Sequence, residues 1–207
     1  MWDLSSESVL EMIALEPDVL REVVDRLRVE LPGGSWAVER ADEFCHEAAY
    51  EPRWPVPEGT IVGAVDTLIG QPAVKLLLRH DTMSADALLE RARSVVGDLV
   101  ELSHSNSAGA LLEIAAPGVS KATALAQLCE ERGIGREAVI AFGDMPNDLP
   151  MLVWAGYAVA VANGHPDVIA AADEVTAAND DAGVARVLER LFSDRRASSS
   201  KEPSQTR

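Results

Sequence analysis

The pattern of apolar and polar residues divides the chain into two parts that follow different rules. From 109 to 192, a short apolar run, a Gly or Asp turn and an amphipathic stretch succeed one another repeatedly. This grammar predicts strands over 110–115, 138–142 and 157–161, with helices near 120–132, 149–155, 166–172 and 181–192. Runs apolar on every residue suit parallel strands covered on both faces.

Before residue 109 the pattern changes. A helix is predicted over 17–29, and the alternation in "SWAVER" and "DEFCHEA" predicts two antiparallel strands packed on one face. A Pro-rich passage, "YEPRWPVPEGT", interrupts regular structure. Beyond it, "PAVKLLLRH", a helix over 84–96, "DLVELSH" and "ALLEIAA" read as strand, helix, strand, strand. The expected class is α/β, with a smaller, mostly antiparallel lobe over 1–117 and a parallel-sheet region over 118–192. The stretch "SDRRASSSKEPSQTR" carries four basic against two acidic side chains and few apolar ones, so 193–207 is expected to be a disordered tail.

Composition narrows the function. The chain has 207 residues, 47% of them hydrophobic, enough for one ordinary core or two small ones. Its formal charge of −16, from 34 acidic and 18 basic residues, repels phosphodiester backbones and anionic lipid. Nucleic acid is therefore not an expected partner. No apolar run approaches the roughly 18 residues that span a bilayer. The start, "MWDLSSESVLEM", lacks the basic and apolar blocks of a signal peptide, so no membrane partner and a cytoplasmic location are expected. Cys45 and Cys129 have no metal-type spacing and are expected to be reduced fillers.

The candidate chemistry centres on "AVIAFGDMPNDLPML". It brings Asp144 just past an apolar strand, the place where open parallel sheets bind ligands. Gly143 permits a sharp exit, and Pro150 suits the first turn of the next helix. Asp144, Asn147 and Asp148 are hard oxygen donors of the kind Mg²⁺ takes, together with water and phosphate. Plain helix capping by Asn147 or Asp148 explains the same residues. Upstream, Lys121 opens a helix after "PGVS", where a cation is unfavourable unless an anion sits nearby; a solvated surface lysine is the alternative. Lys121 and Asp144 are separated by one helix and one short strand, so their loops are expected side by side at one sheet edge, where they could clamp a phosphoryl group. Asn163 follows the next strand and is either an amide donor to that phosphate or a turn residue. Asn179 to Gly183 reads as a turn and cap for the last helix. His165 reads as a surface residue, and no partner is evident for His46, His80 or His104.

The stretches "GVSKATALAQLCEERGI", "VIAFGDMPNDLPML", "AVANGHPDVIAAADEVT" and "ANDDAGVARVLERL" resemble the third and fourth signature regions of the haloacid dehalogenase-like phosphatases, in particular the Cof-type group with a large α/β cap. The resemblance covers about 1–192. It implies a Rossmann-like core, a cap lobe before residue 117, and Mg²⁺-dependent hydrolysis of a small phosphorylated metabolite such as a sugar phosphate or phosphorylated cofactor. By the same match Asp144 would ligate the metal, Asp148 and Asn147 would shape its loop, and Lys121 and Asn163 would hold the phosphate. Trp36, Trp54 and His46 are the first cap residues to consider for contact with the leaving group, core packing being the usual role of aromatic residues in a small lobe.

The departure from the family is the Asp-x-Asp motif that supplies nucleophile and acid/base, which occurs nowhere in the 207 residues. The expectation is that the coding region continues upstream or that the chain is a decayed remnant, inactive alone. The family's first strand would pair with 138–142, so that edge is expected to be exposed and open to self-association. The alternative function is a non-catalytic module that binds a phosphate ligand or a protein.

Overall fold

The computed structural model describes residues 2–3, 8–9, 12–105 and 109–199. The chain forms two compact units, Met1–Leu125 and Ala126–Arg207. Their division falls inside a helix, beyond the 117/118 boundary expected from the sequence.

The first unit runs β1 (Trp2–Asp3), β2 (Ser8–Val9), α1 (Pro17–Glu30), β3 (Ser35–Glu39), β4 (Phe44–His46), β5 (Ile61–Val62), α2 (Val65–Leu68), β6 (Lys75–His80), α3 (Ala85–Val96), β7 (Glu101–Ser103) and β8 (Ala110–Ala115). Strands β1 and β2 form a separate antiparallel pair. The other six make one sheet in the order β5-β4-β3-β6-β8-β7, antiparallel except for β4 and β5. Helix α1 forms because Leu20, Val23, Val24 and Leu27 recur at helical spacing, and each is wholly buried. Ser84 caps α3 by accepting the Ala87 N–H at 3.2 Å. These helices share a core with the inward residues Trp36, Val38, Leu76, Leu78, Leu112 and Ile114 of the sheet.

The opposite face of that sheet has a smaller apolar cluster of Ala37, Tyr50 and Leu77. Beside it Lys75 Nζ lies 2.9 Å from the Glu113 carboxylate and 3.9 Å from that of Glu39. The run 110–115 fits both sequence patterns and takes the antiparallel role, pairing with β6 and β7. Its polar member, Glu113, marks the alternation that leaves Ala110, Leu112 and Ile114 buried. Of the two units this one is the larger, where the sequence suggested the smaller.

Helix α4 (Lys121–Glu131) crosses the division. The second unit continues with β9 (Ile140–Gly143), α5 (Leu149–Trp154), β10 (Tyr157–Val161), α6 (Pro166–Ala171), β11 (Glu174–Thr176) and α7 (Gly183–Ser199). Its sheet is parallel, in the order β11-β10-β9. The core is lean: Ala141, Leu152, Ala155, Ala158, Ala160 and Val168. Among the described residues β9 pairs with β10 alone, and Ile140 on this edge is 38% exposed.

Three expectations are corrected here. Strand β9 begins at Ile140 because Arg136–Ala138 forms a single 3₁₀ turn. Strand β11 was not anticipated. Residues 193–199, read as tail, continue α7, while 200–207 lie outside the described residues. Both cysteines are buried and free, and no helix among the described residues is long and apolar enough to cross a membrane.

Candidate functional site

Strand β9 carries Asp144 to the carboxyl end of the parallel sheet, where its side chain is exposed. The chain turns here very closely on itself. A Cβ on Gly143 would stand 2.7 Å from the Asp148 Cβ and 3.0 Å from Leu152 Cδ1, so the turn requires glycine. Pro146–Asp148 then forms one 3₁₀ turn, and α5 follows with Pro150 in its first turn.

Asp148 sits inside this turn at 3% exposure. Its Oδ2 accepts the backbone N–H of Asp144 at 3.0 Å and of Met145 at 3.1 Å. One carboxylate oxygen thus holds the backbone that presents Asp144, which makes Asp148 a strut of the loop. Asn147 lies between them, and its Oδ1 is buried with no hydrogen-bond partner. Such an acceptor favours a nearby cation or donor.

The loop after β10 is fastened to the same place. The His165 N–H donates to the Asp144 carbonyl at 2.7 Å. The His165 Nδ1 accepts the Asp167 N–H at 3.2 Å and caps α6. Asn163 was read as either an amide donor to a phosphate or a turn residue. Its Nδ2 donates to Asn179 Oδ1 at 2.7 Å, and its Oδ1 accepts the Asn179 N–H at 3.0 Å. An amide nitrogen has a second hydrogen, so this pairing leaves one donor on Asn163 for other use. Asn179 also accepts the Asp180 N–H at 2.8 Å on the same Oδ1. The sequence reading took it for a turn residue, and a contact sixteen positions away leaves no local signal.

The second unit therefore brings Asp144, Asn147 and Asp148 into one loop and ties the Asn163 loop to it. Lys121 belongs to the first unit. It is the exposed first residue of α4, behind a reciprocal cap in which the Ser120 N–H donates to Thr123 Oγ1 at 3.0 Å and the Thr123 N–H to Ser120 Oγ at 3.2 Å. Its charge is felt at Glu113. Burial pushes the Glu113 carboxyl up, but the Ser105 hydroxyl, the Lys75 ammonium and Lys121 together hold it below the usual range. Burial likewise pulls Lys75 down, outweighed by Glu113 and Glu39, and pushes Glu39 up against the opposing pull of Lys75.

The donor set suits a hard divalent cation. Asp144 offers an exposed carboxylate, Asn147 a carbonyl oxygen that is buried and without a partner among the described residues, and Asp148 a second carboxylate, so the oxygen donors outnumber the single soft atom, the Met145 sulfur. Mg²⁺ fits these residues.

In the first unit, Trp36 is a core residue at 2% exposure and cannot meet a ligand. Trp54 is 44% exposed, and its ring and that of His46 flank Phe44 at centroid distances of 6.4 and 5.7 Å. The histidines that seemed unpaired have partners: His46 Nδ1 lies 2.8 Å from the Glu47 carbonyl, His80 Nε2 3.2 Å from that of Pro32, and buried His104 Nε2 2.8 Å from Asp86 Oδ1.

A protein-family model described as haloacid dehalogenase-like hydrolase matches residues 57–188. A 5-amino-6-(5-phospho-D-ribitylamino)uracil phosphatase from Bacillus subtilis is 33% identical over 132 residues, 64% of this chain and 49% of the relative. The chain spans about half or less of the length of the curated relatives it matches. A solved haloacid dehalogenase-like hydrolase from Bacteroides thetaiotaomicron superposes with a TM-score of 0.66 at 27% identity, over 92% of this chain and 73% of that one. A subclass IIB sugar phosphatase of the same superfamily superposes with a TM-score of 0.72 over 90% and 71%; at 18% identity this is a likeness of fold alone.

Proposed function

Since the chain belongs to the haloacid dehalogenase-like hydrolases, we propose that it holds the metal and phosphate of a small phosphate monoester, in the Mg²⁺-dependent hydrolysis of such esters. The observation that carries this reading is the acid loop at the end of β9, where a buried strut, Asp148, fixes the backbone that presents Asp144. Asp144, Asn147 and Asp148 would hold Mg²⁺. Once bound, the ion would offset the charge that develops on the phosphoryl oxygens.

The chain's own residues bind and orient. Asp148 spends one oxygen on two backbone amides, so the loop is formed before any ligand arrives and little reorganisation is needed on binding. The proposal gives Lys121 the role of a fixed positive charge for the phosphate, and Asn163 an orienting role through its remaining amide hydrogen. The activity of the Bacillus subtilis relative supports a phosphorylated ribityl or similar sugar-like compound as substrate class. The reading carries with it a cytoplasmic location and a strand edge at β9 open to a second copy of the chain.

A second reading is a module that binds a metal and a phosphate ligand without turnover, which the same preformed loop supports. A single pair of measurements separates the two. Calorimetric titration with Mg²⁺ should show one site that Asp144→Asn removes, and p-nitrophenyl phosphate reports turnover. Turnover lost in Asp144→Asn supports hydrolysis, and Mg²⁺-dependent phosphate binding without turnover supports the module. Mg²⁺ binding that survives Asp144→Asn unchanged would sink both.

A further inference from the structure

The first unit holds a pocket that the acid loop does not account for. It measures about 390 Å³, and its lining includes Arg53, Arg79, His80 and Gly109 together with the exposed acids Glu51 and Asp81. Strand register puts Arg79 on the same face of the sheet as Leu77, opposite to the face that packs on α1 and α3. Its guanidinium lies over the Tyr50 ring, 5.1 Å from the centroid, and Nη1 donates to the Glu51 carbonyl.

The other edge of that guanidinium is the unusual one. Among the described residues Nε and Nη2 are buried and meet no acceptor at hydrogen-bond distance, and the Tyr50 hydroxyl, buried likewise, is close enough for Arg79 to act on it. A buried donor left without an acceptor costs about 1–3 kcal/mol, so two on one side chain are a poor way to cover a sheet. Together, however, Nε and Nη2 form the planar fork that takes two oxygens of a carboxylate or phosphate side-on. A second cation is held beside it. The Arg53 guanidinium packs over Gly109, where any Cβ would collide with it. Arg79 and Arg53 line the same pocket, and while burial, foremost, and Glu39 raise the Tyr50 phenol pKa, the charges of both arginines oppose that rise.

We propose that this pocket binds a small oxyanion, a carboxylate or a phosphate, gripped by the Nε and Nη2 fork of Arg79 with Arg53 as the second cation. Binding draws the guanidinium toward the pocket and gives its idle donors their acceptors. Two acids, Glu51 and Asp81, share the lining, and their charge disfavours extended polyanions and leaves a compact ligand as the occupant.

The test uses the full chain in EDTA, which silences Mg²⁺, with malonate and inorganic phosphate titrated separately while the arginine Nε–H resonances are followed by NMR. The expected result is a saturable shift of the Arg79 signal. Arg79→Lys, which keeps the charge and loses the fork, should weaken binding about tenfold or more. Arg53→Gln should weaken it too, and because Arg53 is exposed this variant decides the matter if Arg79→Lys disturbs the sheet. Asp144→Asn should leave the titration as it was, which separates this site from the acid loop. Tighter malonate identifies a carboxylate site, and tighter phosphate a phosphoryl site. A shift that never saturates with either anion, or affinity unchanged in both arginine variants, overturns the proposal.

Discussion

Replacing Asp148 by alanine tests the claim that this residue is a strut. The carboxylate is 3% exposed and one of its oxygens accepts two backbone amides, at 3.0 and 3.1 Å. Hydrogen bonds to a charged group contribute about 1.5–3 kcal/mol each, and the alanine leaves both donors without their acceptor, so the second unit should lose roughly 3–5 kcal/mol. Asp148→Asn keeps an acceptor oxygen without the charge and should lose about half as much. Global unfolding is a blunt measure in a chain of two units, so hydrogen exchange at the amides of residues 144 and 145 is the better assay. Their exchange should quicken by roughly 10- to 150-fold in Asp148→Ala, the range set by one such bond. If both amides exchange within about twofold of the wild-type rate, they are protected by something other than this carboxylate.

Other expectations follow from neighbouring features. Gly143→Ala places a Cβ against Asp148 and Leu152; it should cost about 1–3 kcal/mol in urea unfolding and weaken Mg²⁺ binding with it. In the Lys75 cluster the folded Glu113 carboxyl titrates below its ordinary value, so its contribution to stability is present above that value and is lost as pH falls through the lowered one. Lys75→Met removes the ammonium that offsets burial at Glu113 and Glu39; both should then titrate above the ordinary range, and stability should fall as pH rises through it, as carboxyl ¹³C shifts and urea midpoints across pH would show. The β9 edge predicts concentration-dependent association in sedimentation velocity, reduced by Ile140→Lys; a wild-type chain that stays monomeric at every concentration contradicts it.

What the sequence revealed depended on how local the cause was. Strand β10 and helices α1, α3, α5 and α6 were legible to within a residue, because each is specified by its own apolar spacing and by Pro or Ser at its start. Strand β11 has three residues and none is buried, so no periodicity announces it; only the neighbouring β10 makes it a strand. The end of α7 escaped for a related reason. The stretch after residue 192 has helix-forming residues and no Pro or Gly before 200, but it lacks the apolar stripe by which helices are recognised. At the site, Asp144 was visible as an acid after an apolar run. The division of labour between Asp144 and Asp148 was not, since it depends on which one turns inward. The pairing of Asn163 with Asn179 and of His104 with Asp86 joins residues far apart in the chain, and no local pattern encodes it.

The alanine-rich packing of the three-stranded sheet bears on how the protein responds to warming. Four of the six members of its main core cluster are single methyl groups, whereas leucine, isoleucine, valine and tryptophan dominate the core of the larger sheet. Each buried carbon brings about 0.8 kcal/mol, so the half that presents the acidic turn is the more weakly anchored. Calorimetry should resolve its melting as the earlier of two heat-absorption peaks, and a cation seated in the turn should move that peak upward while the later one stays in place.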